Sequence, residues 1–244
     1  MRWKKAALEN CPGVPCITTP SFICGTSTIS DIDGNTYNTV LIGTQCWTKE
    51  NLKVTRYNDN TSIPLDATGG STGGPVGEFW STRMTGAYTI YANEASSGSN
   101  ASNYGFLYNW YAAAGIITAG GSPTKNICPD GWHIPTDAEW TTLTNYLGGE
   151  SIAGGKMKTV GTAYWNTPNT AATNESDFSG LPGGKRSALG GDYSDVRNYA
   201  SFWSSTHIDL NNAWDRGLFI SLNSILRGNN TLKACGSSVR CLGD

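Results

Sequence analysis

Apolar residues in this chain fall in short runs closed by Gly, Pro or Asn, and one stretch alone keeps a clear helical period. Short strands joined by turns must therefore carry most of the fold. The helical stretch is Asp137 to Leu147. Thr136 stands as its N-cap with Glu139 three residues on, a T-x-x-E capping box, and Gly148-Gly149 ends it. Trp140, Leu143 and Leu147 share one face. A second, shorter helix is expected near 151–160, weakened by Gly154 and Gly155. Asp31 to Gly43 reads as a hairpin turning at Asp33-Gly34-Asn35. Residues 104–114, YGFLYNWYAAA, are dense in aromatics and fit a buried strand or a buried helix equally. Residues 66–103 are rich in Gly, Ser, Thr and Asn and read as a long loop with little core. From Phe178 onward, runs such as FWSST, NNAWDRGLFIS and SSVRCL read as strand, turn, strand. The expected class is α+β, loop-rich, with few helices packed on short antiparallel strands.

Composition narrows the function. Charged residues are 15% of the 244-residue chain, against roughly a quarter in ordinary domains. With 30 glycines, the polar surface is built from Ser, Thr, Asn and Gly, as in loop-rich secreted β proteins. A net charge of −2 leaves no basic footprint for nucleic acid. No apolar stretch approaches the roughly 20 residues of a membrane span. The opening, MRWKKAALENC, carries charge without the apolar region of a signal peptide. A trimmed boundary is the favoured reading, ahead of export within a longer protein or a phage-encoded or cytosolic product.

Seven cysteines leave one thiol over if the others pair. With no C-x-x-C and two histidines, the chain lacks the usual zinc spacings. Disulfides in an oxidising compartment are the better reading. CPGVPC, Cys11 to Cys16, is a tight loop suited to closure by a bridge.

Little in the sequence points to catalysis. His133 sits in GWHIP beside Trp132 and reads as a packed, hydrogen-bonded residue, and His207 lies in a polar loop. No carboxylate pair, phosphate loop or dinucleotide fingerprint occurs. DIDGN, Asp31 to Asn35, resembles the start of a calcium loop, but the twelfth position of that register is Ile42 rather than glutamate. A β-turn explains it better, so no cofactor is expected, with calcium at this loop as the lesser alternative.

Several long motifs then occur in one order. They are DIDGNTYNTVLIGTQCWTKENL (Asp31 to Leu52), YGFLYNWYAA (Tyr104 to Ala113), CPDGWHIPTDAEW (Cys128 to Trp140) and GGKMK (Gly154 to Lys158). NESDFSGLPGG (Asn174 to Gly184), FWSST (Phe202 to Thr206), NNAW (Asn211 to Trp214) and SVRC (Ser238 to Cys241) follow. Together they resemble the FISUMP family, the Fibrobacter succinogenes major paralogous domain, over residues 31–244. Residues 1–30 are then an N-terminal linker with a disulfide loop.

The resemblance implies a secreted or surface-anchored bacterial protein. Its core would be similar to the C-type-lectin-like and formylglycine-generating-enzyme folds. No counterpart of that enzyme's catalytic cysteine pair is recognisable, so the resemblance supports fold and not activity. It also implies the bridges Cys128–Cys241 and Cys24–Cys46, which with Cys11–Cys16 leave Cys235 over.

Proteins of this fold class are targets of diversity-generating retroelements, which rewrite adenines in a C-terminal region ending near a motif like SVRC. Here the frame residues Ala213, Trp214, Arg216, Leu218, Arg227, Gly236, Val239 and Arg240 match the family. Asp215, Gly217, Phe219, Ile220, Ser221, Leu222, Gly228, Thr231, Ala234, Cys235 and Ser237, which lie between them, depart from it towards residues that adenine replacement yields. Alternation along the strand puts Asp215, Gly217, Phe219 and Ser221 on one face and Trp214, Arg216, Leu218 and Ile220 on the other. The first face is expected to meet a ligand, with Phe219 and Leu226 as apolar anchors.

The contact set expected within 206–237 is Asp209, Asp215, Gly217, Phe219, Ser221, Ser224, Leu226, Gly228, Asn230, Ala234, Cys235 and Ser237. The function expected is a non-enzymatic extracellular binding module for a protein or glycan on a cell or phage-host surface. A structural or adhesin subunit is the first alternative, and a formylglycine-generating-type enzyme the second.

Overall fold

The computed structural model describes residues 22–67 and 80–244. The bridge expected between Cys11 and Cys16 lies outside them. Three strands open the described chain: β1 (Thr28–Ser30), β2 (Thr36–Ile42) and β3 (Gln45–Thr48). Then come β4 (Tyr88–Thr89), α1 (Ser99–Tyr104), β5 (Leu107–Tyr108), α2 (Trp110–Ala113) and β6 (Trp132–His133). Two helices follow, α3 (Asp137–Tyr146) and α4 (Glu150–Met157). The chain continues through β7 (Lys185–Arg186), β8 (Tyr193–Ser194), β9 (Tyr199–His207), β10 (Asn212–Phe219), β11 (Ile225–Leu232) and β12 (Leu242–Gly243). The result is a mixed α+β architecture with few helices and several small antiparallel sheets.

The largest sheet has the order β1-β2-β3-β12-β6, so the last strand sits between strands far apart in sequence. β1 is already paired with β2, and the Cys24–Cys46 disulfide ties the chain just before it to β3. The sheet thus begins ahead of residue 31. The turn between β1 and β2 is built by Asp31. Its carboxylate accepts from the backbone N–H of Asp33 at 3.0 Å and Asn35 at 2.9 Å, and from the Tyr37 hydroxyl at 2.6 Å. Asp33 accepts from the Thr55 hydroxyl at 2.8 Å and Arg56 Nε at 2.6 Å. The oxygens that resembled calcium ligands are thus occupied by turn and side-chain donors.

The helix read from the capping box forms as expected. Thr136 accepts from the Glu139 N–H at 3.2 Å and Glu139 accepts from the Thr136 N–H at 2.8 Å. Trp140, Leu143 and Leu147 are buried, with the Trp140 ring 4.7 Å from that of Trp47. These join Phe178, Phe202 and Leu218 in one of two core clusters. The ambiguous segment 104–114 is both things in turn. It runs as β5 and then as α2, capped by the Asn109 side chain accepting from the Ala112 N–H at 2.9 Å.

Two expectations are corrected. The described part of 66–103 is not coreless: it contributes β4 and α1 and buries Trp80, Ala87, Tyr88, Ile90 and Ala101. Its aromatics pack onto neighbours, with Tyr88 stacked 5.2 Å from Phe106, and this outweighs the small polar residues around them. The second helix spans Glu150–Met157 rather than reaching residue 160. Its end is set where the Lys158 side chain turns inward. The ammonium donates to the carbonyls of Thr170 at 2.8 Å, Phe219 at 3.0 Å and Leu222 at 2.8 Å.

The Cys128–Cys241 bridge is formed as well, and Cys235 is free. The SVRC motif is structural at its arginine. Buried Arg240 donates to Asn51 Oδ1 at 2.7 Å and to the carbonyls of Thr48 at 2.8 Å, Phe178 at 2.9 Å and Ser179 at 3.0 Å.

Candidate functional site

The site is built on the three-stranded sheet β11-β10-β9. β10 pairs antiparallel with both neighbours, and its register shifts between Ala213 and Asp215, a β-bulge. Beyond the bulge the strand alternates. Arg216 and Leu218 point towards α3 and the core. Arg216 is paired with Asp137 at 2.7 Å and donates to the Asp137 carbonyl at 3.2 Å. Leu218 is fully buried in the core cluster. Asp215, Gly217 and Phe219 point the other way.

That second face is not an open strand surface. The segments around Ser187–Leu189 and Cys235–Ser237 cover part of it, leaving a recess of about 270 Å³. Asp215 is 4% exposed and Ser237 is 1% exposed, so neither is a surface contact of the kind expected. The physical reason is a hydroxyl network at the floor. Thr231 Oγ1 donates to Asp215 Oδ1 at 2.7 Å, Ser201 Oγ donates to Asp215 Oδ2 at 3.0 Å, and Ser201 and Ser237 share a bond of 2.9 Å.

Four expected residues line the recess: Asp215, Asn230, Cys235 and Ser237. They come from three stretches of sequence that the strand pairing brings together. Two more make room for it. A Cβ on Gly228 would lie 1.9 Å from Asp215 Oδ1, and one on Gly217 would lie 2.6 Å from the Tyr199 hydroxyl. Phe219 packs its ring 4.6 Å from Tyr199 and is only half-buried. Ala234 lines a second recess of about 230 Å³, which shares Ala188, Leu189 and Leu232 with the first.

The remaining expected residues lie elsewhere. Ser221 is exposed just past the end of β10, and Leu226 is exposed on β11. Ser224 is half-buried, its carbonyl packed over α4 where a Cβ on Gly154 would meet it at 2.2 Å. Asp209 is exposed and caps its own turn, accepting from the N–H of Asn211 at 2.7 Å and Asn212 at 2.8 Å.

Sequence reasoning missed Lys185, Tyr199 and Ser201, which line the recess together with Ser187–Leu189, Thr231 and Leu232. Tyr199 and Ser201 precede the FWSST motif and face β10 across the ladder, where Ser201 pairs with Gly217 and Tyr199 with Phe219. Their signal was the parity of the strand pair, which needs the register. Lys185 is placed by its neighbour. Arg186 is fully buried, paired with Asp66 at 3.2 Å and stacked 4.2 Å over Trp80, and alternation turns Lys185 outward. The Lys185 ammonium lies 3.6 Å from Asp195 and 5.6 Å over the Tyr199 ring.

Burial sets the electrostatics here. It raises the Asp215 carboxyl above its ordinary value against the hydrogen bonds from Thr231 and Ser201. It pushes the Cys235 thiol and the Tyr199 phenol up as well. A thiol shifted in that direction is a poorer nucleophile than a free cysteine. His133 lies between Glu139 at 3.1 Å and Asp244 at 2.5 Å and lines none of these recesses. Among the described residues no group of three or more His, Cys, Asp or Glu side chains is placed to hold a metal ion, and no helix is long and apolar enough to cross a membrane.

No curated protein and no solved structure matches the chain. A family model does. It spans residues 40–242, a range that contains β3, both helices α3 and α4 and the whole of the β9–β11 sheet. The chain belongs to the Fibrobacter succinogenes major domain family.

Proposed function

We propose that this domain is a non-enzymatic, extracellular binding module that presents the β10–β11 side of its small sheet, with the recess at its centre, to a protein or glycan ligand. The carrying observation is convergence: Asp215, Asn230, Cys235 and Ser237 line one recess although they are spread along the C-terminal stretch. Two disulfides agree with an oxidising location. A C-type-lectin-like scaffold whose C-terminal stretch is a target of a diversity-generating retroelement belongs to the same proposal. His133 lies outside the recess, which is in keeping with a binding role there.

Two measurements test it. Arrays of extracellular glycans and surface proteins are probed with the wild type and with the β11 double variant Asn230→Arg/Leu226→Arg, both positions being exposed. Binding by the wild type, with at least a tenfold loss in an equally stable variant, is expected. Equal binding by both would move the ligand off this face. DNA flanking the gene should hold a near-copy of the codons for residues 203–241 that differs mainly at adenines. Its absence from that DNA removes the diversification part of the proposal.

A further inference from the structure

Asp215 is a buried carboxyl group on the recess floor with no ion pair among the described residues. The neighbouring cations form their ion pairs elsewhere and act on Asp215 only through space. Arg216 turns to the opposite face and pairs with Asp137 at 2.7 Å, and Lys185 on the rim pairs with Asp195 at 3.6 Å. Each carboxylate oxygen of Asp215 accepts one neutral hydroxyl, from Thr231 and Ser201. An ionised carboxylate has about four acceptor sites, so about half remain. Neutral donors do not cancel a negative charge, so burial raises this carboxyl, and a cation seated against it would favour the ionised form in place of a proton.

The walls above the floor differ in character. Ala188, Leu189 and Leu232 form an apolar collar, with Leu189 84% exposed. The Tyr199 ring lies beside them and already holds one ammonium, that of Lys185, 5.6 Å from its centre. At about 270 Å³ the recess falls just below the roughly 300–1,000 Å³ of sites for drug-sized molecules. A carboxylate at the bottom, hydroxyl acceptors beside it and an apolar collar above match one kind of group. That group is a long aliphatic stem ending in a cation.

We propose that the recess between β10, β11 and the Ser187–Leu189 segment receives a lysine or arginine side chain projecting from a protein ligand. The cationic head seats at Asp215 and the stem lies between Leu189 and Leu232. The inference rests on the binding role proposed above and makes its ligand a protein rather than a glycan. Seating the cation restores charge balance without moving the hydroxyl network, since Ser201, Thr231 and Ser237 are already fixed by their own bonds.

The test titrates the whole chain with small probes at millimolar concentration, reading backbone amide shifts by NMR. The probes are Nα-acetyl-lysine methylamide, its arginine analogue, the isosteric norleucine amide and a set of methyl glycosides. Saturable shifts at Asn230, Thr231 and Ser237 with the two cationic probes only are expected. Asp215→Asn should weaken them at least tenfold. Asn230→Lys, an exposed rim change that supplies an internal cation, should do the same with no loss of fold. Binding should also fade on acidification, as Asp215 takes up its proton; Lys185, Asp195, Tyr199, Cys235 and Arg216 are the other ionisable groups around it. Equal shifts with norleucine, or shifts with glycosides alone, would overturn the cation assignment while leaving the recess a ligand site. No shift at these amides with any probe overturns it too, and the array experiment then decides separately whether this face binds anything.

Discussion

At the scale of single residues, Asp215 and Gly228 form a matched pair. The carboxylate occupies the space that a side chain at 228 would need, with 1.9 Å left for a Cβ. Gly228→Ala is therefore expected to cost about 1–3 kcal/mol in the wild type, the range for overpacking a filled site. In an Asp215→Ala background the same change should be nearly neutral. A double-mutant cycle by urea denaturation checks this, and equal costs in both backgrounds would show that the two positions are independent. If the C-terminal stretch is diversified, residues 215 and 228 thus cannot vary freely of each other. The sequence marked both positions as departures from the family pattern, but it did not show that one departure makes room for the other. That relation needs the register in which Asp215 faces Gly228 across the bulge.

Among elements, α3 was the most legible, because a capping box and an apolar stripe are local signals. What the sequence concealed is that the same Glu139 also takes a bond from His133, on β6. Burial raises the Glu139 carboxyl, but the bonds from His133 and Thr136 outweigh this and hold it at about 2, below its ordinary 4.5. The bond to Glu139 raises His133 above its ordinary 6.5, against the effect of burial and with help from Asp244. The signs are opposite. Glu139 contributes stability above pH 4.5 that is lost as pH falls towards 2. His133 contributes stability below pH 6.5 that is lost as pH rises through its raised value. The difference in Tm between wild type and His133→Gln should therefore be largest between pH 4.5 and 6.5 and shrink on both sides. A difference that stays flat from pH 3 to 9 would contradict the coupling (roughly the span over which both groups titrate). For β10, the parity of the strand was readable and holds beyond the bulge, whereas the cover over its Asp215 face was not. That cover comes from segments near residues 187–189 and 235–237, whose approach to β10 no local pattern encodes.

For the whole molecule, the class and two of the disulfides were accessible, the pairings through family resemblance alone. The two bridges do different amounts of work. Cys24–Cys46 joins residues 22 apart and Cys128–Cys241 joins residues 113 apart. Restricting a longer loop removes more freedom from the unfolded chain. Replacing Cys128 and Cys241 by alanine should lower stability by about 2–4 kcal/mol, and replacing Cys24 and Cys46 by less. Equilibrium denaturation of the two double variants ranks them, and the reverse order would mean that native packing rather than chain restriction sets the difference.

The position of β12 carries a consequence in time. Leu242 pairs with Trp47 on one side and His133 on the other, so the central seam of the main sheet is laid down by residues made well after both of the strands they join. Until then β3 and β6 present unpaired edges, the state in which a chain is most open to wrong partners. Closing the sheet between β3 and β6 thus waits on β12, and anything that holds back Leu242–Gly243 leaves that seam open.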